Sequence, residues 1–218
     1  MKFIQTMLIF SVLLLLNSCA TPKQISINKA EYHAQNRVAI IVHPPTSFVG
    51  KTGSQGILDL AVTPQTKYKE GMKILSKTYD STIQKSLKDE CEKIYAYTGK
   101  KYIVLDSIAN LPTIEVNKKQ VLDYQYIKDT YQVEQIQEIT CTYGITIDYY
   151  GFIETDKNTF VSINSIITNI ENQTTVQQYN QTKKIKLKGK WRANNYAIFN
   201  KSLETSVKLA LMDFNSQF

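Results

Sequence analysis

The sequence predicts a single domain of the α/β (α+β) class over residues 37–218, with a mixed sheet and helices packed on it. Between residues 72 and 94, apolar side chains recur at spacings of three and four, the pattern of one helix face. Over residues 139–149 apolar and polar side chains alternate, which is typical of a half-buried strand. The order of elements that such patterns predict is β-α-β-α-β-β-β-α.

The first half of this order begins with an apolar strand at residues 37–42. A glycine-containing stretch at 46–64 then predicts a long loop with a turn of helix in it. The long helix continues to about residue 97, where Gly99 supplies its stop. Residues 102–106 are predicted to form a second short buried strand.

The second half begins with a helix predicted at residues 117–135, where apolar side chains cluster. Three strands follow, at 139–149, 159–170 and 175–191, and a turn-like cluster separates the second from the third. The last segment, residues 196–214, carries apolar side chains at helical spacing and predicts an amphipathic closing helix.

The N-terminus carries an export signal rather than a part of the fold. Lys2 precedes a run of about a dozen largely apolar residues, shorter than the roughly 20 that a bilayer span needs. The run ends in Leu16-Asn17-Ser18-Cys19. These four residues resemble the lipobox of bacterial lipoproteins, from which only Asn17 departs. The resemblance implies cleavage between Ser18 and Cys19 and acylation (palmitate) of Cys19, which becomes the N-terminus.

This resemblance divides the chain into a signal peptide at residues 1–18, a lipidated cysteine with a tether at 19–36, and a periplasmic domain at 37–218. The predicted partner of Cys19 is therefore the lipid bilayer. Ala20 is not the aspartate that marks inner-membrane retention in enterobacterial lipoproteins. The predicted location is the outer membrane, facing the periplasm.

The charge balance predicts anionic partners. Without Lys2 the mature chain has 25 Lys and Arg against 19 Asp and Glu, which favours lipid headgroups or acidic proteins. Nucleic acid is unexpected in that compartment. Five basic residues share one parity of the last predicted strand: Lys184, Lys186, Lys188, Lys190 and Arg192. They predict either a patch for anionic surfaces or a solvated strand face whose lysines discourage aggregation.

The two remaining cysteines both point toward the predicted core. Cys91 lies on the apolar face of the long helix, and Cys141 lies on the inward face of the strand at 139–149. The periplasm permits a disulfide, so a bridge between Cys91 and Cys141 and two buried free thiols are the alternatives.

No catalytic, metal or cofactor site is predicted. Gly50-Lys51-Thr52 follows a strand as in phosphate-binding loops, but Pro45 stands where the first glycine is needed, so no nucleotide is expected. His33 and His43 are the only histidines and form no ligand pair by spacing. His43 is predicted to be a solvent-facing turn residue. An envelope hydrolase acting on glycan or peptide, with carboxylates brought together by folding, is kept as an alternative to a non-enzymatic protein.

The order of elements resembles the periplasmic domain shared by curli-export lipoproteins and the lipoprotein activators of penicillin-binding proteins. The strands at residues 37–42 and 102–106 and the closing three strands and helix carry this resemblance. It implies a domain that binds envelope proteins or self-associates. The predicted function is thus a membrane-anchored envelope lipoprotein with a binding or assembly module, and an oligomeric secretion component of curli-exporter type is an alternative.

Overall fold

We describe a computed structural model of the chain over residues 24–34, 37–54, 66–105, 110–150, 153–191 and 193–218. Its helices and strands, in chain order, are α1 (Lys29–Ala34), β1 (Arg37–Val42), β2 (Thr46–Ser54), α2 (Thr66–Thr98), β3 (Lys101–Val104), β4 (Thr113–Val116), β5 (Lys119–Leu122), α3 (Tyr124–Tyr131), β6 (Gln135–Tyr150), β7 (Ile153–Asn169), β8 (Thr175–Lys186) and α4 (Ala193–Asn215). All eight predicted elements are present in the predicted order, and α1, β2 and the hairpin β4–β5 are added to them.

The main sheet is mixed, as predicted. Its strands follow the order β3-β1-β6-β7-β8, and β2 pairs with β6 beyond the end of β1. Strand β1 is parallel to both β3 and β6, and β2 is also parallel to β6. The long strands β6, β7 and β8 form an antiparallel meander. The predicted class, a single α/β domain with helices on a mixed sheet, is confirmed.

The two long helices, α2 and α4, pack on one face of this sheet and enclose the larger core. Alternate residues of β6 contribute to it, which explains the alternation in the sequence. The shorter α3 covers a second, smaller core on the other face, over β1 and the start of β6. Next to α3, six polar residues of this second face are partly or fully exposed, and we call them the open face: Thr140, Thr142, Ser162, Asn164, Asn180 and Thr182.

Two tyrosine hydroxyls fix how α2 lies along β6. Tyr143 donates a hydrogen bond to Asp80 (2.6 Å), and Tyr95 donates to the side-chain oxygen of Gln137 (2.9 Å). As β6 runs forward, the residues it faces on α2 therefore run backward.

This register separates the two cysteines. Cys141 lies level with a position near residue 85 of α2, so Cys91 is about six helix residues, or about 9 Å, further along the helix axis. The Cα atoms of a disulfide are usually within about 7 Å. In the structure both cysteines are free and buried. Burial raises the pKa of the Cys91 thiol and raises that of Cys141 to about 12.

Strand β2 replaces the first part of the loop predicted at residues 46–64. Its residues pair with Thr142–Tyr150 of β6, because β6 is longer than β1 and offers a free edge there. The close approach of the two backbones depends instead on a glycine of β6. Gly144 faces Phe48 at a φ of 151°, and a Cβ on it would lie 1.9 Å from the Phe48 carbonyl oxygen. The turn of helix predicted at 57–62 falls outside the described residues.

Part of the predicted tether is packed on the domain. Ile25 bridges to Gln178 of β8, and the Tyr32 side chain of α1 is buried. The Lys100 ammonium donates hydrogen bonds to the Tyr32 carbonyl and to Gln135 and lies 3.8 Å from the centre of the Tyr32 ring. These contacts hold residues 24–34 against the sheet.

The ends of two other elements are also defined by the structure. The strand predicted at 175–191 ends at Lys186, and the chain turns at Gly189 with a φ of 65°. Trp191 then stacks on Tyr68 with 5.5 Å between ring centroids and an interplanar angle of 8°, so the tryptophan packs against α2 instead of continuing the strand. Gly99 takes a φ of 70° directly after α2, which confirms it as the predicted stop.

Candidate functional site

The predicted anchor residues Ser18 and Cys19, and also Arg192, lie outside the described residues. The other four of the five basic residues, Lys184, Lys186, Lys188 and Lys190, lie within the described residues. Lys184 and Lys186 are exposed on β8, on the same side of the sheet as the open face, and Lys186 pairs with Asp156. Lys188 and Lys190 are exposed in the turn after the strand. The structure therefore gathers these four lysines at one end of β8, though not on a single strand face.

The described surface also carries an apolar pocket that sequence reasoning missed. It lies between the hairpin β4–β5, the start of α3 and the turn from β7 to β8, and encloses about 430 Å³. Its lining combines apolar and aromatic side chains with four polar ones: Ile114, Val116, Val121, Leu122, Asp123, Tyr124, Gln125, Thr168, Ile170 and Gln173. Ile114, Val116 and Val121 are 45%, 45% and 41% exposed. A cluster of this kind on a surface is typical of a contact site.

Local sequence explains the hairpin. Asn117 and Lys118 both take positive φ values, 51° and 62°, as a two-residue hairpin turn requires. Across the strands Ile114 pairs with Val121, and both line the pocket. The two strands form a sheet of their own and do not join the main sheet. Such a hairpin is stable only through what it packs against.

The helix α3 is positioned by a cap and by a buried hydrogen bond. The Asp123 side chain accepts a hydrogen bond from the Tyr126 amide (3.0 Å) and so caps the helix. Directly after the cap, the Tyr124 hydroxyl donates to Glu138 of β6. The predicted helix at 117–135 was therefore right only for its second part, because residues 119–122 pair as a strand instead.

Glu138 also joins His43 to this cluster. The His43 Nε2 lies 2.9 Å from the Glu138 carboxylate, and both side chains are largely buried, at 28% and 25% exposure. His43 is thus not the solvent-facing turn residue that was predicted. Burial alone would raise the pKa of Glu138, but the hydrogen bonds from His43 and Tyr124 and the charge of His43 outweigh it and lower that pKa. Burial, followed by the hydrogen bond and charge of Glu138, raises the pKa of Tyr124.

The lowered pKa makes the contribution of Glu138 pH-dependent. Because the pKa is lower in the folded state, the carboxylate stabilises the fold above its ordinary pKa of about 4.3, and this stabilisation is lost as the pH falls through the folded value. We expect Glu138→Gln to cost about 1–2 kcal/mol at pH 7 and less at pH 3, measured by urea unfolding. Glu115→Gln, on the exposed strand β4, is the control and should change neither value. An equal cost of Glu138→Gln at both pH values would contradict this assignment.

A second groove lies between α2 and α4 and encloses about 390 Å³. It contains two carboxylates. Burial, and then the charge of Glu204, raise the pKa of Tyr79, while Glu90 accepts a hydrogen bond from Asn215 (2.7 Å). Tyr79 and Glu90 are eleven residues apart on α2, as Glu204 and Asn215 are on α4, and eleven residues span about 16 Å of a helix axis.

The pocket beside α3 can therefore bind an apolar group, and the polar side chains of its lining can orient that group. Within the described ranges, His, Cys, Asp and Glu side chains form no group of three that could hold a metal ion. Among the described helices, none combines the length and apolar content that crossing a bilayer requires. In the sequence, the sign of the hairpin was the alternation at residues 113–116 before Asn117-Lys118, which does not continue at residues 119–122.

No protein-family model matches the chain, and no curated protein matches it. Among solved structures, a neuraminyllactose-binding hemagglutinin homologue from Helicobacter pylori is similar, with 10% identity and a TM-score of 0.38 over 93% of this chain and 92% of that one. Lipoprotein GNA1162 from Neisseria meningitidis has 12% identity and a TM-score of 0.33 over 79% and 98%. A PelC dodecamer from Paraburkholderia phytofirmans has 7% identity and a TM-score of 0.33 over 85% and 92%. The term lipoprotein describes the Neisseria protein, and the term dodecamer describes the Paraburkholderia protein.

Proposed function

We propose that this chain is a lipoprotein of the bacterial cell envelope, anchored through acylated Cys19, whose domain is a non-enzymatic binding module. The observation that carries the proposal is the apolar run ending in Leu16-Asn17-Ser18-Cys19. Acyl chains on Cys19 would hold the domain at the membrane surface without any spanning segment. Ala20 in place of aspartate favours the outer membrane, facing the periplasm.

The binding part of the proposal concerns the pocket beside α3. We propose that this pocket binds apolar side chains of another envelope protein. Ile114 and Val121 are cross-strand neighbours with more than a third of their surface exposed, and they belong to an isolated hairpin. A protein surface laid on the hairpin would bury these side chains and stabilise the two strands, which pack little against the rest of the domain. Binding of this kind needs no reacting group.

The experiment is chemical crosslinking in the native membrane, purification of the full-length protein, mass spectrometry of what is attached, and a native mass on the same sample. The pocket variant is Ile114→Glu combined with Val121→Glu, which places charges where the partner would bury apolar surface. The matched control is Leu209→Glu, because Leu209 is also apolar and 40% exposed but lies on α4. We expect the partner to be recovered with wild type and with the control, and to fall by about tenfold with the pocket variant.

Recovery of the same partner with the pocket variant would remove the pocket from the proposal. A native mass of several copies, lost in the pocket variant, would identify the partner as a second copy of this chain. A lone monomer after crosslinking would contradict the binding module altogether.

A further inference from the structure

The described chain begins along the free edge of β8. Ile25 and Gln178 exchange both backbone hydrogen bonds, at 2.9 and 3.0 Å, and the Asn28 amide donates to the Val176 carbonyl (3.0 Å). The pairing is antiparallel. Followed toward its N-terminus, the chain therefore runs in the direction in which β8 runs forward, toward Lys186.

The distance from this point to the anchor is limited by the sequence. Cys19 is six residues before Ile25, so even a fully extended chain places it at most about 21 Å away. The tip of the β6–β7 hairpin is far outside this reach. Ile166 pairs with Gln178, and Ile153 at the tip is thirteen residues before it, about 40 Å along the strand. A bilayer that holds Cys19 therefore passes within about 21 Å of Ile25, which pairs with the β8 edge.

The exposed charge at this edge is positive. We call the four lysines Lys184, Lys186, Lys188 and Lys190 the basic edge; all are exposed. Lys186 pairs with Asp156. The other three make no ion pair with an acidic side chain in the described part of the chain. Lys184 lies six residues beyond Gln178, about 20 Å along β8, which matches the reach of the anchor.

We infer that the basic edge rests on the anionic phospholipid headgroups of the membrane that holds Cys19, and so fixes the orientation of the domain; this rests on the proposed lipidation. Positive side chains close to a negatively charged leaflet are attracted within about a Debye length, roughly 8 Å at physiological ionic strength. A tether that extends along β8 would bring the lysines into that range. The pocket beside α3 includes Thr168, whereas Lys186 is level with Asn158, ten residues earlier on β7. In this orientation the pocket lies about 30 Å along the sheet from the membrane-bound basic edge, where a partner can reach it.

The test uses the full-length acylated protein in vesicles that contain a lipid quencher on its headgroup. One fluorescent label is placed at Thr182→Cys, which keeps all four lysines, and in a second protein at Lys101→Cys, on the opposite edge of the sheet. Cys91 and Cys141 are buried and do not compete for the label. In vesicles of phosphatidylglycerol and phosphatidylethanolamine we expect strong quenching at position 182 and little at 101. In phosphatidylcholine vesicles, or at 1 M salt where the Debye length is about 3 Å, the contrast should be lost.

A variant with Lys184→Gln, Lys188→Gln and Lys190→Gln should also lose the contrast while it still floats with the vesicles. Equal quenching at the two labels, or a contrast that survives in this variant, would overturn the inference. A different result would be no quenching at position 182 in wild type, together with a protein that crosslinks to wild type but not to this variant. That result would overturn the inference, because the basic edge would then bind an acidic protein instead of phospholipid headgroups. Flotation and intact mass are measured on the same sample. A chain that neither floats nor carries acyl mass overturns the proposed anchor as well, whereas a floating chain without quenching at 182 overturns only the orientation.

Discussion

Gly144→Ala is expected to destabilise the domain more than any other single methyl group added to a glycine described in the structure. A Cβ at this position would lie 1.9 Å from the Phe48 carbonyl oxygen and 2.9 Å from the Phe48 carbonyl carbon, both of which are backbone atoms that cannot rotate away. The φ of 151° adds strain for an L residue. Strand β2 must therefore move off β6, and we expect a loss of about 3 kcal/mol or more in the free energy of unfolding.

The control for this prediction is Gly189→Ala. Gly189 also has a positive φ, 65°, but no atom lies within 4 Å of the position that an added methyl group would occupy. The substitution should cost only the backbone strain, about 1–2 kcal/mol. Urea unfolding can be followed through Trp191, the single tryptophan, which is buried. If Gly144→Ala costs no more than Gly189→Ala, then β2 does not approach β6 as closely as described.

Cys19→Ala is expected to abolish acylation. If the resemblance to the lipobox holds, the thiol of Cys19 is the only group on which processing can begin, and its loss should prevent cleavage after Ser18. An alkyne analogue of palmitate fed to the cells should label wild type and leave the variant at background. Intact mass should show wild type beginning at an acylated Cys19, and the outer-membrane fraction should lose the variant.

Cys141→Ser serves as the control for labelling, because Cys141 is buried and its substitution leaves the signal unchanged. It should be labelled like wild type. Persistent palmitate labelling of Cys19→Ala, or a wild-type chain without acyl mass, would show that the anchor has been assigned to the wrong residue.

Most of the helices and strands could be predicted from the sequence because their side-chain periodicity is local. The bounds of β1, Arg37–Val42, are those predicted, and the alternation in β6 marked a strand buried on one face. Strand β2 could not be predicted in this way. Its glycines are typical of a loop, and they are compatible with a strand only because β6 offers a free edge and Gly144 offers room.

The candidate pocket could not be predicted from the sequence for a related reason. A single segment, residues 117–135, combines the second strand of a hairpin with a helix of eight residues. Its apolar side chains therefore fit neither the two-residue period of a strand nor the 3.6-residue period of a helix over the whole segment. His43 and Glu138 are 95 residues apart in the chain, and nothing in either neighbourhood indicates that they meet. Parallel pairing of β1 with β6 brings them together at the end of β1.

By itself the sequence determined the class of the domain, the order of its main elements and the inward direction of Cys91 and Cys141, and it is the basis on which the export signal and its cysteine are proposed. Each of these depends on residues close together in the chain, where composition and spacing are sufficient. Only the tertiary structure decided that β2 joins the sheet, that the cysteines stay apart, that residues 24–34 pack on the domain, and that four lysines gather at the edge of β8. These features follow from strand register and helix placement, which are set by packing between distant segments and leave no local pattern.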